Sequence, residues 1–384
     1  MTGPRVRSSA EQASATPPGW QTIGHDAASA MLLRALRNGR LAHAYLITGP
    51  QQIGRRSLAL DLARAVNCEA GEVGDRPCGD CRQCQRITRG IHADVRIINP
   101  GTTIETEKVR GSDDTPMSRV IKKGHVDDLQ HRASLKPFEG RTHVFVIDGA
   151  ELMLAPAANA LLKTLEEPEA QVLLVLLSSA PEELTDTIVS RCQRIDLRPV
   201  PAEVIERHLV ERMKAEPATA RILARASGGR PGWAVVALSD PTAIDGRRQS
   251  VMRIMGALTG SLDERFKYAR MLAAEHRKDR EAVYKELARW TAWWRDVLLV
   301  KHGIEGQVAH EDFKDQLVGV AGQVEPRDVV AAIRSIAATA EALEHNAMTP
   351  LVFEVLMLDM PRIDPATVPG VGTADDGEEW QDEE

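Results

Sequence analysis

The stretch that decides the fold is His43-Ala-Tyr-Leu-Ile-Thr48-Gly49-Pro-Gln-Gln-Ile-Gly54-Arg55-Arg56. It begins with a short apolar run that is typical of a buried strand, and it continues into a loop with the two glycines of a nucleotide-binding pattern. A helical pattern follows from Arg55 to Asn67, because Leu58, Leu62 and Val66 recur at helical spacing. A strand, a glycine loop and a helix in this order predict a phosphate loop at the N-terminal end of a helix.

The phosphate loop lacks the side chains that a working loop uses. A lysine normally reaches the β- and γ-phosphates, and a serine or threonine hydroxyl holds Mg²⁺. Arg55 and Arg56 occupy these two positions here, and a guanidinium cannot be a ligand for a cation. We therefore expect Gly49, Gly54 and Arg55 to form a vestigial nucleotide site. Two interpretations stay open: the loop binds a nucleotide weakly without turnover, or the glycines only form a tight turn.

A second catalytic group is missing at the end of the predicted strand Thr142–Asp148. Asp148 could still orient Mg²⁺, and it completes the vestigial nucleotide site. The next residue is Gly149, where an acid would be needed to activate the attacking water. Two independent losses predict that the chain does not hydrolyse ATP by itself.

Strand and helix patterns alternate along the first half of the chain. Further strands are predicted at 94–99, 142–148, 172–178 and 193–197, with helices between them at 126–135, 157–166 and 186–192. Strands that alternate with helices predict a parallel, doubly wound sheet of the α/β P-loop type. The polar stretch 101–124 predicts a long loop. Beyond residue 200 the patterns are helical only, so all-α segments follow.

Four cysteines, Cys68, Cys78, Cys81 and Cys84, lie just behind the phosphate loop. Structural Zn²⁺ takes four tetrahedral ligands, and a Cys-x2-Cys turn lets two sulfurs face one ion. A closed set of four thiolates leaves no position for substrate, so it predicts a structural metal. An iron–sulfur cluster, or thiols without a metal, stay open as alternatives. Cys192 stands apart and is predicted to be a buried small residue.

Length and charge limit the possible classes of protein. A chain of 384 residues predicts two or three domains. The net charge is −7, but residues 362–384 hold eight acids and one arginine, so the rest of the chain is formally neutral. A neutral body excludes a general polyanion binder. No apolar run reaches the roughly 18 residues of a membrane span, and clustered cysteines indicate a reducing cytoplasm. Residues 1–20 predict a disordered leader without a secretory signal.

Two further motifs carry a resemblance to a known family. The string Leu161-Leu-Lys-Thr-Leu-Glu-Glu-Pro168 and the triplet Ser190-Arg191-Cys192 resemble the clamp-loader branch of the AAA+ ATPases. The four cysteines are similar in position to the zinc module of bacterial clamp-loader subunits. The resemblance covers about residues 24–361, and the degraded phosphate loop separates the chain from the ATP-hydrolysing members.

The resemblance implies an order of domains. Its parts are a AAA+ domain at 21–199 with a zinc module at 68–84, an all-α lid at 200–239, an all-α collar for oligomerisation at 240–361, and an acidic disordered tail at 362–384. The collar is expected to hold the subunits of a five-membered ring together.

The resemblance also implies a catalytic role for the Ser190-Arg191-Cys192 triplet. In that family the arginine reaches the γ-phosphate held by the neighbouring subunit, as an arginine finger in trans, and Arg191 is the matching residue. ATP is then expected only at the neighbour's site. The implied partners are the motor (gamma/tau-type) and delta subunits of a DNA polymerase III hetero-pentamer. Through this complex the chain would act on the sliding clamp and on primer–template DNA, and it would belong to a DNA-directed DNA polymerase holoenzyme.

Three other interpretations compete with this one. The chain could be a motor subunit that hydrolyses ATP, which Arg55, Arg56 and Gly149 argue against. It could be a zinc-containing DNA-binding module, which the neutral body and the closed cysteine set disfavour. Arg191 alone, without its flanking residues, would be read as an ordinary surface arginine in a salt bridge.

Overall fold

The computed structural model describes residues 19–102, 120–240, 242–345 and 347–370. These residues form two compact units. The first unit consists of the chain up to residue 208 together with 229–233. The second consists of 209–228 together with the chain from residue 234 onward.

The first unit is built from alternating helices and strands. In chain order they are α1 (Asp26–Arg37), β1 (Ala44–Thr48), α2 (Arg55–Asn67), α3 (Arg82–Thr88), β2 (Val95–Ile98), α4 (Lys123–Ala133), β3 (His143–Asp148), α5 (Ala155–Glu166), β4 (Val172–Ser178), α6 (Asp186–Val189) and β5 (Gln193–Asp196).

The five strands form one sheet in the order β2-β3-β4-β1-β5. Every neighbouring pair is parallel, and Tyr45 of β1 lies opposite Val175 of β4 on one side and Gln193 of β5 on the other. All residues of β1 and β4 are buried, as central strands of a parallel sheet require. The predicted parallel sheet is therefore confirmed.

Helices cover both faces of the sheet. On one face, alternate strand residues such as Tyr45 and Val146 pack with Leu58 and Leu62 of α2. On the other face, the intervening residues such as Leu46 pack with the buried side chains of α4 and α5. Because successive strand residues point to opposite faces, both faces carry apolar residues and the sheet is doubly wound.

The sequence prediction was wrong at the end of the 101–124 stretch. Residues 103–119 lie outside the described residues, but the stretch does not continue as a loop to residue 124. Ile121 is fully buried and forms a bridge with Met153, and its N–H donates to the carbonyl oxygen of Leu152. Helix α4 begins at Lys123. The burial of Ile121 could not be predicted, because a single isoleucine among charged residues gives no periodic pattern.

The remaining helices follow from residue 202. They are α7 (Ala202–Met213), α8 (Pro217–Ala226), α9 (Pro231–Ser239), α10 (Thr242–Thr259), α11 (Leu262–Lys278), α12 (Arg280–Lys301), α13 (Lys314–Gln323), α14 (Pro326–Glu344) and α15 (Thr349–Asp359). Helices α7 and α9 contribute residues to both units, and the others lie in the second unit. The second unit is thus helical throughout its described part.

The core of the second unit is built around Trp290, Trp293 and Trp294 of α12, which are fully buried. A buried cation closes this core. The Arg265 guanidinium donates to four backbone carbonyl oxygens, those of Leu258, Met357, Met360 and Pro361, at 2.9–3.0 Å. These bonds join α11 to the end of α15. Among the described residues, no helix is both long enough and apolar enough to cross a membrane.

Candidate functional site

The phosphate loop lies between β1 and α2, and its backbone requires both glycines. Gly54 caps α2 with φ +115°, and Gly49 has φ +142°. A Cβ at Gly49 would also lie only 2.7 Å from the carbonyl oxygen of Leu197. L-residues with a side chain rarely adopt these angles. The loop therefore keeps the tight path of a phosphate-binding turn.

Backbone carbonyls of the loop are held by neighbouring residues of the same unit. Gly232 donates its N–H to the carbonyl oxygen of Gln52 at 2.9 Å. The His25 Nε2 lies 2.9 Å from the carbonyl oxygen of Ile53, and burial lowers the pKa of His25. A neutral imidazole donating from Nε2 satisfies this contact. These bonds hold the loop through groups of the protein itself.

Arg55 stands in the lysine position of the loop, at the start of α2. Burial lowers the pKa of its guanidinium, and the charges of Glu151 and Asp148 oppose that effect. Its Nη1 is buried and makes no hydrogen bond to any described residue. Arg56, in the position of the Mg²⁺-binding hydroxyl, lies 3.9 Å from Asp148, measured from Nη1 to Oδ2. The predicted residues Arg55 and Asp148 thus do share one site.

Glu151 is a member of this site that the sequence reasoning missed. Its Oε1 accepts hydrogen bonds from the N–H and the hydroxyl of Ser179, at 3.0 and 2.6 Å. Burial acts to raise the pKa of Glu151, but hydrogen bonds, including those from Ser179, hold the pKa below its usual value. The sequence signal for Glu151 is an acid three positions after Asp148, and this spacing is not part of the phosphate-loop pattern.

The charges of the loop site balance one another. Two guanidinium groups, of Arg55 and Arg56, lie with two carboxylates, of Asp148 and Glu151. No hydroxyl stands at the Mg²⁺ position, and Asp148 already has a cationic neighbour. The arrangement can order the loop without a bound cation.

The four clustered cysteines form a candidate metal centre. The Sγ atoms of Cys68, Cys78, Cys81 and Cys84 all lie within 4.8 Å of one another. Zinc–sulfur bonds of about 2.3 Å in a tetrahedron place the sulfurs about 3.8 Å apart. The described cysteines thus need only a small contraction to hold one ion, and the donor set fits a structural metal.

Backbone N–H groups of the module point at the cysteine sulfurs. Cys78 N–H donates to the Cys68 Sγ at 3.3 Å, and Cys81 N–H donates to the Cys78 Sγ at 3.3 Å. Burial acts to raise the pKa of Cys78, but the N–H groups of Cys81 and Asp80 help hold it at about 7. Burial raises the pKa values of Cys68 and Cys84. A positive metal ion would favour the thiolate form of all four.

The Ser190-Arg191-Cys192 triplet follows α6, which ends one residue earlier than Ser190. The Arg191 Nη2 lies 2.7 Å from the Glu166 Oε1, and its Nη1 donates to the carbonyl oxygen of Thr187 at 3.0 Å. The Arg191 side chain stays 36% exposed. Cys192 is half-buried against the core of the sheet, and burial raises its pKa to about 11. Cys192 is thus only partly buried, whereas the sequence predicted a buried residue.

A P-loop-type α/β unit with a degenerate loop, a thiol cluster and a Ser-Arg-Cys triplet defines the class as AAA+. A family model described as "DNA polymerase III, delta subunit" matches residues 24–201, which includes all three features. Over these residues the chain is therefore similar to this family of DNA polymerase III subunits.

Individual relatives are subunits of the same polymerase. The chain is 29% identical over 328 residues to DNA polymerase III subunit delta' of Bacillus subtilis, covering 85% of this chain and 93% of the relative. It is 32% identical over 247 residues to DNA polymerase III subunit tau of Salmonella typhimurium, covering 63% of this chain. It spans 36% of that tau subunit, so the similarity to tau concerns about a third of the relative.

One solved structure with broad coverage is a DNA polymerase III gamma subunit-related protein from Thermotoga maritima. It is 14% identical, with a TM-score of 0.38, covering 85% of this chain and 97% of that one. The overall likeness between the two structures is loose.

Proposed function

We propose that this chain is a delta'-type subunit of a bacterial clamp loader, which completes the ATP site of a neighbouring subunit and does not hydrolyse ATP itself. The observation that carries the proposal is the coexistence of an intact Ser190-Arg191-Cys192 triplet with a phosphate loop whose Mg²⁺ position is Arg56. The first is a group for use on another subunit's nucleotide. The second feature removes the Mg²⁺-binding hydroxyl that ATP hydrolysis by this chain would need.

The balanced charges of the phosphate loop support the loss of hydrolysis. Asp148 faces Arg56 instead of a metal-holding hydroxyl, and Gly149 leaves no acid next to Asp148. Glu151 does not replace that acid, because Ser179 holds its Oε1 through two hydrogen bonds. General-base catalysis needs a carboxylate placed at the attacking water.

Arg191 supplies what the neighbouring site requires. Phosphoryl transfer builds negative charge on the equatorial oxygens of the γ-phosphate, and an arginine placed there accelerates hydrolysis about 10³- to 10⁵-fold. An arginine from another subunit makes that acceleration depend on assembly. We propose that Ser190 and Cys192 frame this arginine: the Ser190 hydroxyl donates to the carbonyl oxygen of Thr187 at 3.3 Å, and Cys192 packs against the sheet.

The partners in this proposal are the gamma/tau-type motor subunits and the delta subunit of a hetero-pentamer. The complex would load the sliding clamp on primed DNA in the cytoplasm during replication. The helical second unit would supply the collar contacts of the ring. The four cysteines would hold one structural Zn²⁺, which ties the end of α2 at Cys68 to the start of α3 near Cys81.

The test is reconstitution of the loader with motor and delta subunits, using wild type, Arg191→Ala and Arg194→Ala. Arg194 is an exposed arginine that pairs with Asp196 in β5, so it controls for the loss of a surface cation. We expect all three chains to assemble. Arg191→Ala should lower single-turnover ATP hydrolysis at the adjacent site at least about 100-fold and impair clamp loading. Equal rates for Arg191→Ala and Arg194→Ala would remove the finger assignment.

A motor subunit is the second candidate, because the tau subunits of several bacteria also match the chain. It requires ATP turnover by the chain itself. Turnover by the purified chain that disappears when Arg55 is replaced, and that persists in Arg191→Ala, would favour the motor over the delta'-type assignment.

A further inference from the structure

The Arg191 guanidinium is held by its own unit at two points. Its Nη2 lies 2.7 Å from the Glu166 Oε1, and its Nη1 donates to the carbonyl oxygen of Thr187 at 3.0 Å. Glu166 is the last residue of α5, and Thr187 lies in α6. Two helices therefore fix the orientation of this side chain.

The Glu166–Arg191 pair sits at the surface. The two side chains are 52% and 36% exposed, so water screens the attraction between them. Surface ion pairs of this kind shift an equilibrium by at most about fivefold. The contact is therefore strong enough to bias the side chain and weak enough to be exchanged.

A bound triphosphate could not easily share Arg191 with Glu166. If the guanidinium bridged the two, the carboxylate would lie about 6 Å from the phosphate oxygens. Under the same water screening, like charges at that distance disfavour each other by about threefold for each charge on the phosphate. Breaking the surface pair costs at most about fivefold. Exchange of Glu166 for a multiply charged phosphate is therefore at least as favourable as retention of both partners.

We infer that Glu166 is a positioning residue that holds Arg191 against its own unit until the triphosphate of a neighbouring subunit displaces it. This inference rests on the proposed function. Glu166 belongs to the Leu161–Pro168 string, and the adjacent Glu167 makes no ion pair with any described residue. The Glu166 carboxylate therefore competes with the neighbour's triphosphate for the Arg191 guanidinium. Arg191 binds the triphosphate only when the phosphate charge is sufficient to replace that carboxylate.

The test uses the reconstituted loader with ATP and without DNA. Glu166→Gln keeps the size and the polar oxygen but loses the charge. It should raise single-turnover hydrolysis at the adjacent site about two- to fivefold, the range set by a surface ion pair. The matched control Glu167→Gln should match wild type, and Glu166→Asp should retain most of the restraint. The double variant Glu166→Gln/Arg191→Ala should not show the faster hydrolysis of Glu166→Gln.

Two readouts separate this role from a merely structural one. Raising the salt concentration screens the ion pair, so the gain from Glu166→Gln over wild type should shrink toward one at high salt. In the isolated full chain, NMR of the arginine Nε–Hε groups should show Arg191 rotating more slowly in wild type than in Glu166→Gln.

The outcomes are distinguishable. If Arg191→Ala has no effect on the loader, the proposed function fails and the restraint fails with it. If Arg191→Ala is strongly defective while Glu166→Gln equals wild type or is slower in a fully assembled loader, only the restraint is overturned. A slower Glu166→Gln loader would mean that Glu166 supports the engaged position of Arg191 instead of the held one.

Discussion

Replacing Glu286 by alanine is expected to destabilise the helical second unit without touching Arg191. The Glu286 carboxylate is nearly buried on α12. It accepts hydrogen bonds from the hydroxyls of Ser250 and Tyr268, at 2.7 and 3.0 Å, and from Arg289 at 3.0 Å. Arg253 approaches it at 3.4 Å. One carboxylate thus joins α10, α11 and α12.

The size of the loss in unfolding free energy depends on which hydrogen-bond donors to Glu286 can bind water instead. The side chains of Arg253 and Arg289 are 35% and 40% exposed, so both can turn to solvent at little cost. The hydroxyl of Ser250 is buried and that of Tyr268 is part-buried, and they lose their acceptor. A buried donor left without a partner costs about 1–3 kcal/mol. Glu286→Ala should therefore lower the free energy of unfolding by about 2–4 kcal/mol.

The effect should depend on pH. Burial acts to raise the pKa of Glu286, but the Ser250 hydroxyl and the Arg253 charge help hold it below its usual value. A carboxyl with a lowered pKa stabilises the folded state above its unfolded pKa of about 4.3. That contribution is lost as the pH falls through the folded pKa. The difference between wild type and Glu286→Ala should therefore be full near pH 7 and should shrink below about pH 4.

Thermal unfolding followed by calorimetry measures this prediction. A loss of 2–4 kcal/mol in a unit of this size corresponds to roughly 6–12 °C. The matched control is Glu281→Gln on the same helix, whose exposed partner Lys285 lies 2.7 Å away and whose loss should cost less than about 0.5 kcal/mol. A loss below about 1 kcal/mol for Glu286→Ala would refute the reasoning.

The remaining predictions concern the metal and the nucleotide. Elemental analysis should find about one zinc per chain; Cys81→Ser should lower the zinc content and make residues 68–84 easier to cleave with protease, while Cys192→Ser should change neither. Iron, or no metal at all in wild type, would contradict the zinc assignment. The purified chain is expected not to turn over ATP, because Arg56 and Gly149 stand where two catalytic groups would be needed. A phosphate-release assay at a saturating Mg²⁺–ATP concentration measures this turnover. A wild-type rate above that of Arg55→Ala would contradict the prediction.

The sheet and its phosphate loop could be predicted from local sequence. Apolar runs such as Val172–Ser178 are buried on both faces, so composition alone marks them as central strands. The glycines of the loop predict positive φ angles, and Gly49 and Gly54 have such angles in the structure. The thiol cluster could also be predicted, because its four cysteines lie within 17 residues of sequence. In the structure their sulfur atoms lie close together.

The side-chain partners could not be predicted. Glu151 meets the phosphate loop because β3 and β4 are neighbours in the sheet, which places it beside Ser179. Glu166 meets Arg191 because α5 and α6 pack together, although the two residues are 25 positions apart. Ile121 is fixed by a bridge to Met153. Each of these contacts depends on tertiary placement, and no local period encodes it.

The most direct test of the central claim is a structure of the assembled loader with a non-hydrolysable triphosphate in the neighbour's site. We expect the Arg191 guanidinium to have left Glu166 and to lie within about 3 Å of the γ-phosphate oxygens, with no Mg²⁺–triphosphate in the chain's own loop. An Arg191 side chain that faces solvent away from every subunit boundary would contradict the account.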